Sequence, residues 1–194
     1  MSSAQTRGRE TFKKRKKQIM LLVSVVNKFS VNRRKKWLIK RRKTTGNKGL
    51  LLRYILLKSL AKSCGDNVSV FENVYIYSPE NIELGDNVSI HPMCYIEGEG
   101  GIKIGNDVSI AHATTILSTT HNMDVLDIPI KDQGISEKPT IIHDNVWIGC
   151  KTTILCGTEI NSGSVIGANS VVTKSIEQNS VYAGTPAKKI RSRK

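Results

Sequence analysis

From residue 64 onward an aliphatic residue, once a cysteine, returns every six positions. The series runs Cys64, Val70, Ile76, Leu84, Ile90, Ile96, Ile104, Ile110, Ile116, Ile142, Ile148, Ile154, Ile160, Ile166 and Val172. A small residue often follows, as in Leu84-Gly-Asp-Asn-Val-Ser and Ile104-Gly-Asn-Asp-Val-Ser. This period is neither that of a helix nor the simple alternation of a strand. It predicts a short flat strand with one side chain pointing inward, then a tight turn whose backbone angles suit Gly, Asn and Asp. Three such strands make one triangular coil of about 18 residues, and stacked coils share a continuous core.

The breaks in the period are as informative as the period. They fall at Ile76 to Leu84, Ile96 to Ile104 and Ile116 to Ile142, with two, two and twenty extra residues. Counted from Cys64, each break is the third side of its coil. All three insertions therefore share one corner of the prism, the usual arrangement for a binding face in a repeat stack. The large insertion, 117–141, is read as an extruded loop, and it contains His121.

Residues 1–62 lack this period. Phe12–Asn27 and Lys48–Ser63 have the pattern of basic amphipathic helices, and Arg33–Lys43 is a charge run interrupted by Trp37, Leu38 and Ile39. After Ile176 the chain leaves the repeat for a basic tail. The organisation expected is an arm over 1–62, repeats over 63–178 and a tail over 179–194. The apolar run Ile19–Val26 resembles a signal peptide but is short and lacks a small-residue cleavage site. It is also too short to span a bilayer.

Composition sharpens this division. Aromatic residues are only 5% of the chain, which suits a narrow aliphatic interior. The net charge of +14 conceals a split. Residues 1–62 hold 20 Lys and Arg against one acid, Glu10, whereas residues 63–194 hold 10 against 15 acids. Cys64, Cys94, Cys150 and Cys156 show no paired spacing and read as reduced thiols of a cytoplasmic protein. Asn67-Val-Ser and Asn87-Val-Ser match the glycosylation acceptor pattern but read better as repeat turns.

Beyond the frame, the chain carries Ser118-Thr-Thr-His121, Asn145-Val-Trp147-Ile-Gly, Ala168-Asn-Ser-Val-Val-Thr173-Lys174 and Ala183-Gly-Thr-Pro-Ala-Lys188-Lys-Ile-Arg191. Together these resemble the hexapeptide-repeat acetyltransferases, in the branch of galactoside, maltose and exopolysaccharide O-acetyltransferases. The resemblance covers about 64–191. It implies an all-β fold, a left-handed parallel β-helix, here with a basic, partly helical N-terminal arm. It also implies a homotrimer with acyl-CoA sites between neighbouring subunits.

By this resemblance His121 is the general base that takes the proton of an acceptor hydroxyl during direct transfer from acetyl-CoA. An imidazole titrates in the range such a step needs. Asp124, Asp132 or Glu137 of the same loop, or a backbone carbonyl, is expected to orient it. Trp147, Cys150, Ala168, Thr173, Lys174, Lys188 and Arg191 fall at cofactor-binding positions, with the last two meeting phosphates. The family pattern favours Arg at 188, so Lys keeps the charge but not the bidentate fork. His91 falls where relatives carry a substrate-contacting Asn, and Glu99 where they carry an acidic acceptor-binding residue. His112 and His143 read as turn or surface residues.

The expected acceptor is a sugar or lipid-linked glycan hydroxyl in capsular, exopolysaccharide or lipopolysaccharide biosynthesis. The alternatives are a xenobiotic or amino-sugar N-acetyltransferase of the same fold, and a non-catalytic scaffold with a membrane-binding arm. Zinc carbonic anhydrases of this fold need paired histidines, and none of His91, His112, His121 and His143 is suitably spaced. No metal is expected. The arm is expected to contact the anionic inner membrane face, in preference to nucleic acid, for which no reading module is visible.

Overall fold

The computed structural model describes residues 3–193, with side chains from residue 8 onward. The repeats form a left-handed parallel β-helix of triangular section. Face A stacks strands Ser63–Cys64, Ile82–Leu84, Ile102–Ile104, Thr140–Ile142 and Glu159–Ile160. Face B stacks Ser69–Val70, Ser89–Ile90, Ser109–Ile110, Trp147–Ile148, Val165–Ile166 and Ser180–Ala183. Face C stacks Tyr75–Tyr77, Tyr95–Glu97, Thr115–Ile116, Thr153–Ile154 and Val171–Val172. The stack does not stop where the six-residue period fades. Ile176 still bridges Ile160, and Ser180–Ala183 adds a further rung to face B.

Most strands contribute one inward aliphatic side chain, whereas Ile82–Leu84 and Ile102–Ile104 bury two each. Ile110, Ile116, Ile142, Ile148, Ile154, Ile160 and Ile166 are fully buried and stack into a single core. The corners obey equally local rules. Where face A turns into face B, Asn67, Asn87, Asp107 and Asn145 all have φ between 55° and 58°. Asn and Asp tolerate that left-handed region better than other side chains. The two glycosylation-like asparagines are thus turn residues, and Asn67 Nδ2 donates to Asn87 Oδ1 at 3.1 Å. In the preceding column coils approach so closely that a Cβ on Gly85 would lie 2.8 Å from the Gly105 carbonyl oxygen. Buried hydroxyls seal the corner between faces B and C: Thr152 Oγ1 donates to Gly149 O at 2.8 Å, and Ser170 Oγ to Gly167 O at 2.7 Å.

The arm folds into three helices, α1 (Ser3–Asn27), α2 (Val31–Arg41) and α3 (Gly46–Lys58). The charge run Arg33–Lys43, for which no element was expected, is mostly helix α2. It folds because its inner side needs only Leu38 and Trp37 against Leu56 and Leu60. Helix α3 ends at Lys58, short of the expected Ser63, which already belongs to the first strand.

Helix α3 covers the open end of the prism. Each coil donates backbone N–H groups to carbonyls of the next, as in Gly65 N to Leu84 O at 2.8 Å. Carbonyls of the first coil consequently point at the open end, where unpaired backbone groups are costly. Side chains of α3 supply the donors. Arg53 Nε reaches Val70 O at 2.8 Å, Tyr54 Oη reaches Gly65 O at 3.0 Å, and Lys58 Nζ reaches Cys64 O at 2.6 Å. Arg53 also donates through Nη1 to Arg41 O and Thr44 O at 3.1 and 2.5 Å, closing the end of α2. Ile19, Val23, Tyr54, Ile55 and Leu57 join the core of the prism. Helix α1 runs up the corner between faces A and B, tied by Lys16 to Asp66 and by Arg9 to Asp107 at 2.7 Å. Seven helical residues rise about 10 Å, matching two coils at about 4.8 Å each.

All four cysteines are free. Burial pushes the Cys64 thiol up to about 12 and the Cys94 thiol up to about 11, so both stay protonated at neutral pH.

Candidate active site

The three insertions do share one corner, where face C turns into face A. The long one leaves as strand Thr119–His121 and returns as Ile135–Glu137, an antiparallel hairpin with His121 opposite Ile135. Its root is fastened by Glu97, one coil below. The Glu97 carboxylate accepts from Ser118 N at 3.1 Å, Thr119 Oγ1 at 3.0 Å and Glu99 N at 2.7 Å. Ser118 Oγ, fully buried, donates to Glu97 O at 2.7 Å and accepts from Gly100 N at 2.9 Å. Burial pushes the Glu97 carboxyl upward, but hydrogen bonds from Ser118, Glu99 and Thr119 outweigh it and hold the group below its ordinary value. The sequence motifs do not single out this residue. The available signal was its position directly after inward Ile96, one coil below the residue at which the long loop starts.

His121 is exposed, and its imidazole makes no hydrogen bond with a described residue. None of Asp124, Asp132 and Glu137 bonds to it. The hairpin is braced instead by neutral amides: Gln133 spans Val125 and Ile128, and Ser136 Oγ donates to Asn122 Oδ1 at 2.5 Å. The tip exposes Met123, Val125, Leu126, Ile128 and Ile130, with Leu126 96% exposed. These residues line a 440 Å³ concavity.

The other expected site residues fall into three groups. Thr173 and Lys174 lie exposed on the same corner as the loop. Cys150 and exposed Ala168 sit one above the other at the corner between faces B and C, where the Cys150 carbonyl already accepts from Asn169 N at 2.9 Å. Trp147, 54% exposed, lies on face B. There it lines a 310 Å³ concavity with Asp107, Ser109, Asn145, Val165 and Arg193.

Lys188 and Arg191 join Trp147 by way of an irregularity. Strand Lys188–Ser192 folds back antiparallel on Ser180–Ala183, and the register shifts between Val181 and Tyr182. Arg191 pairs with Val181 and Lys188 with Ala183, so both share the outward face despite being three residues apart. Val181 pairs with Val165, and Val165 with Trp147, giving one outward column from Trp147 to Arg191. Neither Lys188 nor Arg191 forms an ion pair with a described residue, whereas intervening Lys189 is held by Glu177 at 2.5 Å. An aromatic surface and two cations without an ion-pair partner, three strands apart on one face, suit a long ligand with an adenine ring and phosphates.

Face B lies opposite the corner from which the His121 loop emerges. Within one chain, therefore, His121 and the group formed by Trp147, Lys188 and Arg191 are on opposite sides of the prism. His91 lies at the corner between faces B and C, where its ring stacks on Phe71 at 4.7 Å. Burial, and secondarily His112, lower its pKa, favouring the neutral form. Glu99 is exposed in the corner insertion next to Glu97. His143 pairs with Glu159 at 2.6 Å, and His112 is exposed on a turn.

Residues 139–174 match the family model described as bacterial transferase hexapeptide, six repeats. The chain is 36% identical to the galactoside O-acetyltransferase of Escherichia coli over 136 residues, which is 70% of this chain and 66% of that protein. The crystal structure of a maltose O-acetyltransferase from Clostridium difficile superposes with a TM-score of 0.75 at 31% identity, covering 90% of this chain and 89% of the other. A hexapeptide-repeat acetyltransferase of Vibrio cholerae, complexed with acetyl coenzyme A, gives 0.75 at 26% identity, covering 84% and 86%. With other curated relatives the similarity is local, and the chain spans 24%, 32% and 45% of the length of three of them. On the repeat frame and these similarities over most of its length, the chain belongs to the hexapeptide-repeat acetyltransferase family.

Proposed function

We propose that this protein transfers an acetyl group from acetyl-CoA to a sugar hydroxyl, with His121 as general base, in a homotrimer whose sites form between subunits. The observation that carries the reading is the split site. His121 stands on one side of the prism, while Trp147, Lys188 and Arg191 stand on the other. A second copy placing its face B against the loop corner unites them. The exposed aliphatic tip of the hairpin supports that contact, since apolar patches of this kind mark association surfaces.

In this arrangement Lys188 and Arg191 of one subunit hold phosphates, and Trp147 packs beside them. Cys150 and Ala168, with Thr173 and Lys174, flank the two edges of face C for the pantetheine arm. His121 of the neighbour accepts the hydroxyl proton as the acceptor oxygen bonds to the thioester carbon. Collapse of the tetrahedral adduct breaks the carbon–sulfur bond, and the imidazolium returns the proton to the departing sulfur. The products are an acetyl ester and the free thiol. Such proton transfer contributes roughly 10²–10⁴-fold. Glu99 and His91 are the proposed acceptor contacts.

A sugar acceptor is favoured by the names of two similar proteins, a galactoside and a maltose O-acetyltransferase. We place the enzyme in the cytoplasm, acting on precursors of surface polysaccharide. The experiment is thiol release from acetyl-CoA over a panel of sugars and lipid-linked oligosaccharides, with wild type and His121→Ala in parallel. Acceptor-dependent release abolished in the variant supports the reading. Release only with amino sugars or antibiotics would move the acceptor class. No release, together with no acetyl-CoA binding by calorimetry, would overturn it.

A further inference from the structure

Helix α1 carries two faces. One packs inward through Ile19 and Val23 and is tied to the prism by Lys16 and Arg9. On the other, Lys14, Lys17, Leu21 and Val25 follow one another at intervals of three and four residues, which aligns them along one side of the helix, and Lys28 lies just past its end. Leu21 is 66% exposed and Val25 45%. Helix α2 repeats the theme: Arg33, Lys36 and Lys40 are exposed and follow the same spacing, with exposed Lys43 just past its end and Ile39 61% exposed beside them.

Apart from Arg33, which lies over the Phe29 ring at 5.6 Å, these cations have no partner among the described residues. The ion pairs of the arm employ Arg9, Lys16, Lys35, Lys58 and Lys62. None of Lys14, Lys17, Lys28, Lys36, Lys40 and Lys43 pairs with a described residue. Like charges at these helical spacings repel one another, and aliphatic side chains gain nothing from facing water. No described helix is long and apolar enough to cross a membrane.

We propose that the outward faces of α1 and α2 are a docking surface for an anionic lipid bilayer. Leu21, Val25 and Ile39 enter the headgroup region, and the flanking Lys and Arg side chains reach lipid phosphates. The mixture of chemistries selects this occupant. Nucleic acid would neutralise the lysines but offer no apolar layer to Leu21 and Val25. The same face of a second copy would bring the same positive charge. The ties from Arg9 and Lys16 lie on the opposite side of α1, so the prism holds the face outward. The proposal is independent of the acyl-transfer reading.

The test sediments the full chain with vesicles of phosphatidylcholine alone and of phosphatidylcholine with phosphatidylglycerol. Binding at least about tenfold stronger to the anionic vesicles is expected. Leu21→Ser/Val25→Ser keeps every charge and should weaken that binding about tenfold. Lys36→Glu/Lys40→Glu should abolish most of it. A second variant, Leu21→Trp, reads insertion directly through a blue shift of its emission on anionic vesicles, whether or not the serine pair folds. Equal binding to both vesicle types, equal binding by the serine pair, or no blue shift in sedimented protein would overturn the proposal. So would a single-stranded oligonucleotide that binds more tightly than the vesicles and ignores Leu21 and Val25.

Discussion

The carboxylate of Glu97 accepts the backbone N–H of Ser118 at 3.1 Å, and Ser118 Oγ returns a hydrogen bond to the carbonyl of Glu97 at 2.7 Å. This reciprocal clasp fixes the point at which the long loop leaves the prism. His121 follows three residues later on the outgoing strand. Replacing Glu97 with Ala leaves the amides of Ser118 and Glu99 and the hydroxyl of Thr119 without their acceptor. We expect kcat to fall about tenfold, with the acetyl-CoA KM within about twofold, because a displaced base affects the chemical step more than donor binding. Steady-state kinetics beside a melting curve decides the point. A lowered Tm with unchanged kcat would restrict Glu97 to a structural role.

The same clasp is sensitive to acid. A carboxyl held below its ordinary value stabilises the fold fully above the unfolded value of about 4.3, and the contribution is lost as pH falls through the folded value. Protection of the hairpin amides, measured against the intrinsic exchange rate at each pH, should therefore fall as pH drops below about 4. Glu97→Gln, which cannot titrate, should remove that dependence while exchanging faster at neutral pH. An identical acid response in both proteins would place the transition elsewhere.

If the site forms between subunits, two inactive variants can rescue each other. His121→Ala lacks the base, and Trp147→Ala/Arg191→Ala lacks the donor surface. Homotrimers of either should retain about a hundredth of wild-type activity or less. Mixed trimers, formed by unfolding and refolding together, combine an intact His121 with an intact face B at some of their sites. Recovery of a substantial fraction of activity in the mixture is expected. Mixed trimers as inactive as their parents would mean that one chain supplies the whole site.

Arg53 links three parts of the molecule: the end of α2, the turn before α3 and the first coil. Arg53→Met keeps much of the volume but leaves buried carbonyls without donors, at about 1–3 kcal/mol for each group left unpaired. The arm should loosen first. Limited proteolysis after α2 should accelerate, and the denaturation midpoint should fall. Unchanged proteolysis would show that the core contacts of Ile19, Val23 and Leu57 suffice.

Thr152→Val tests the buried hydroxyl column. The substitution keeps the shape and removes the shorter of two hydroxyl bonds to Gly149 O, leaving that of Thr114 at 3.3 Å, for an expected loss of about 1 kcal/mol in chemical denaturation. A change below about 0.3 kcal/mol would mean that the carbonyl finds another donor.

The hexapeptide frame was legible because everything that creates it is local. Each strand is two or three residues long, one side chain points in, and each corner needs a residue suited to its turn. Pairing register follows, since every coil repeats the one before. For the same reason the insertions could be assigned to one corner by counting. The arm was legible only in part. Ile19 and Val23 lie on a recognisable helical stripe, but α2 hides in a run of charges because two partly or fully buried side chains are enough to seat it.

What the order of residues leaves undecided is which groups meet across the fold. Arg53 looks like the other cations of the arm until the unpaired carbonyls of the first coil give it partners. Glu97 resembles Glu99 until Ser118 arrives from the next coil to be clasped. Lys188 and Arg191 should point to opposite sides of a regular strand, and only the register shift against Val181 and Tyr182 turns both outward. The separation of His121 from Trp147 arises from closure of the triangle. Local backbone preferences determine the repeat, whereas side-chain partnership depends on distances that exist only after the coils have stacked.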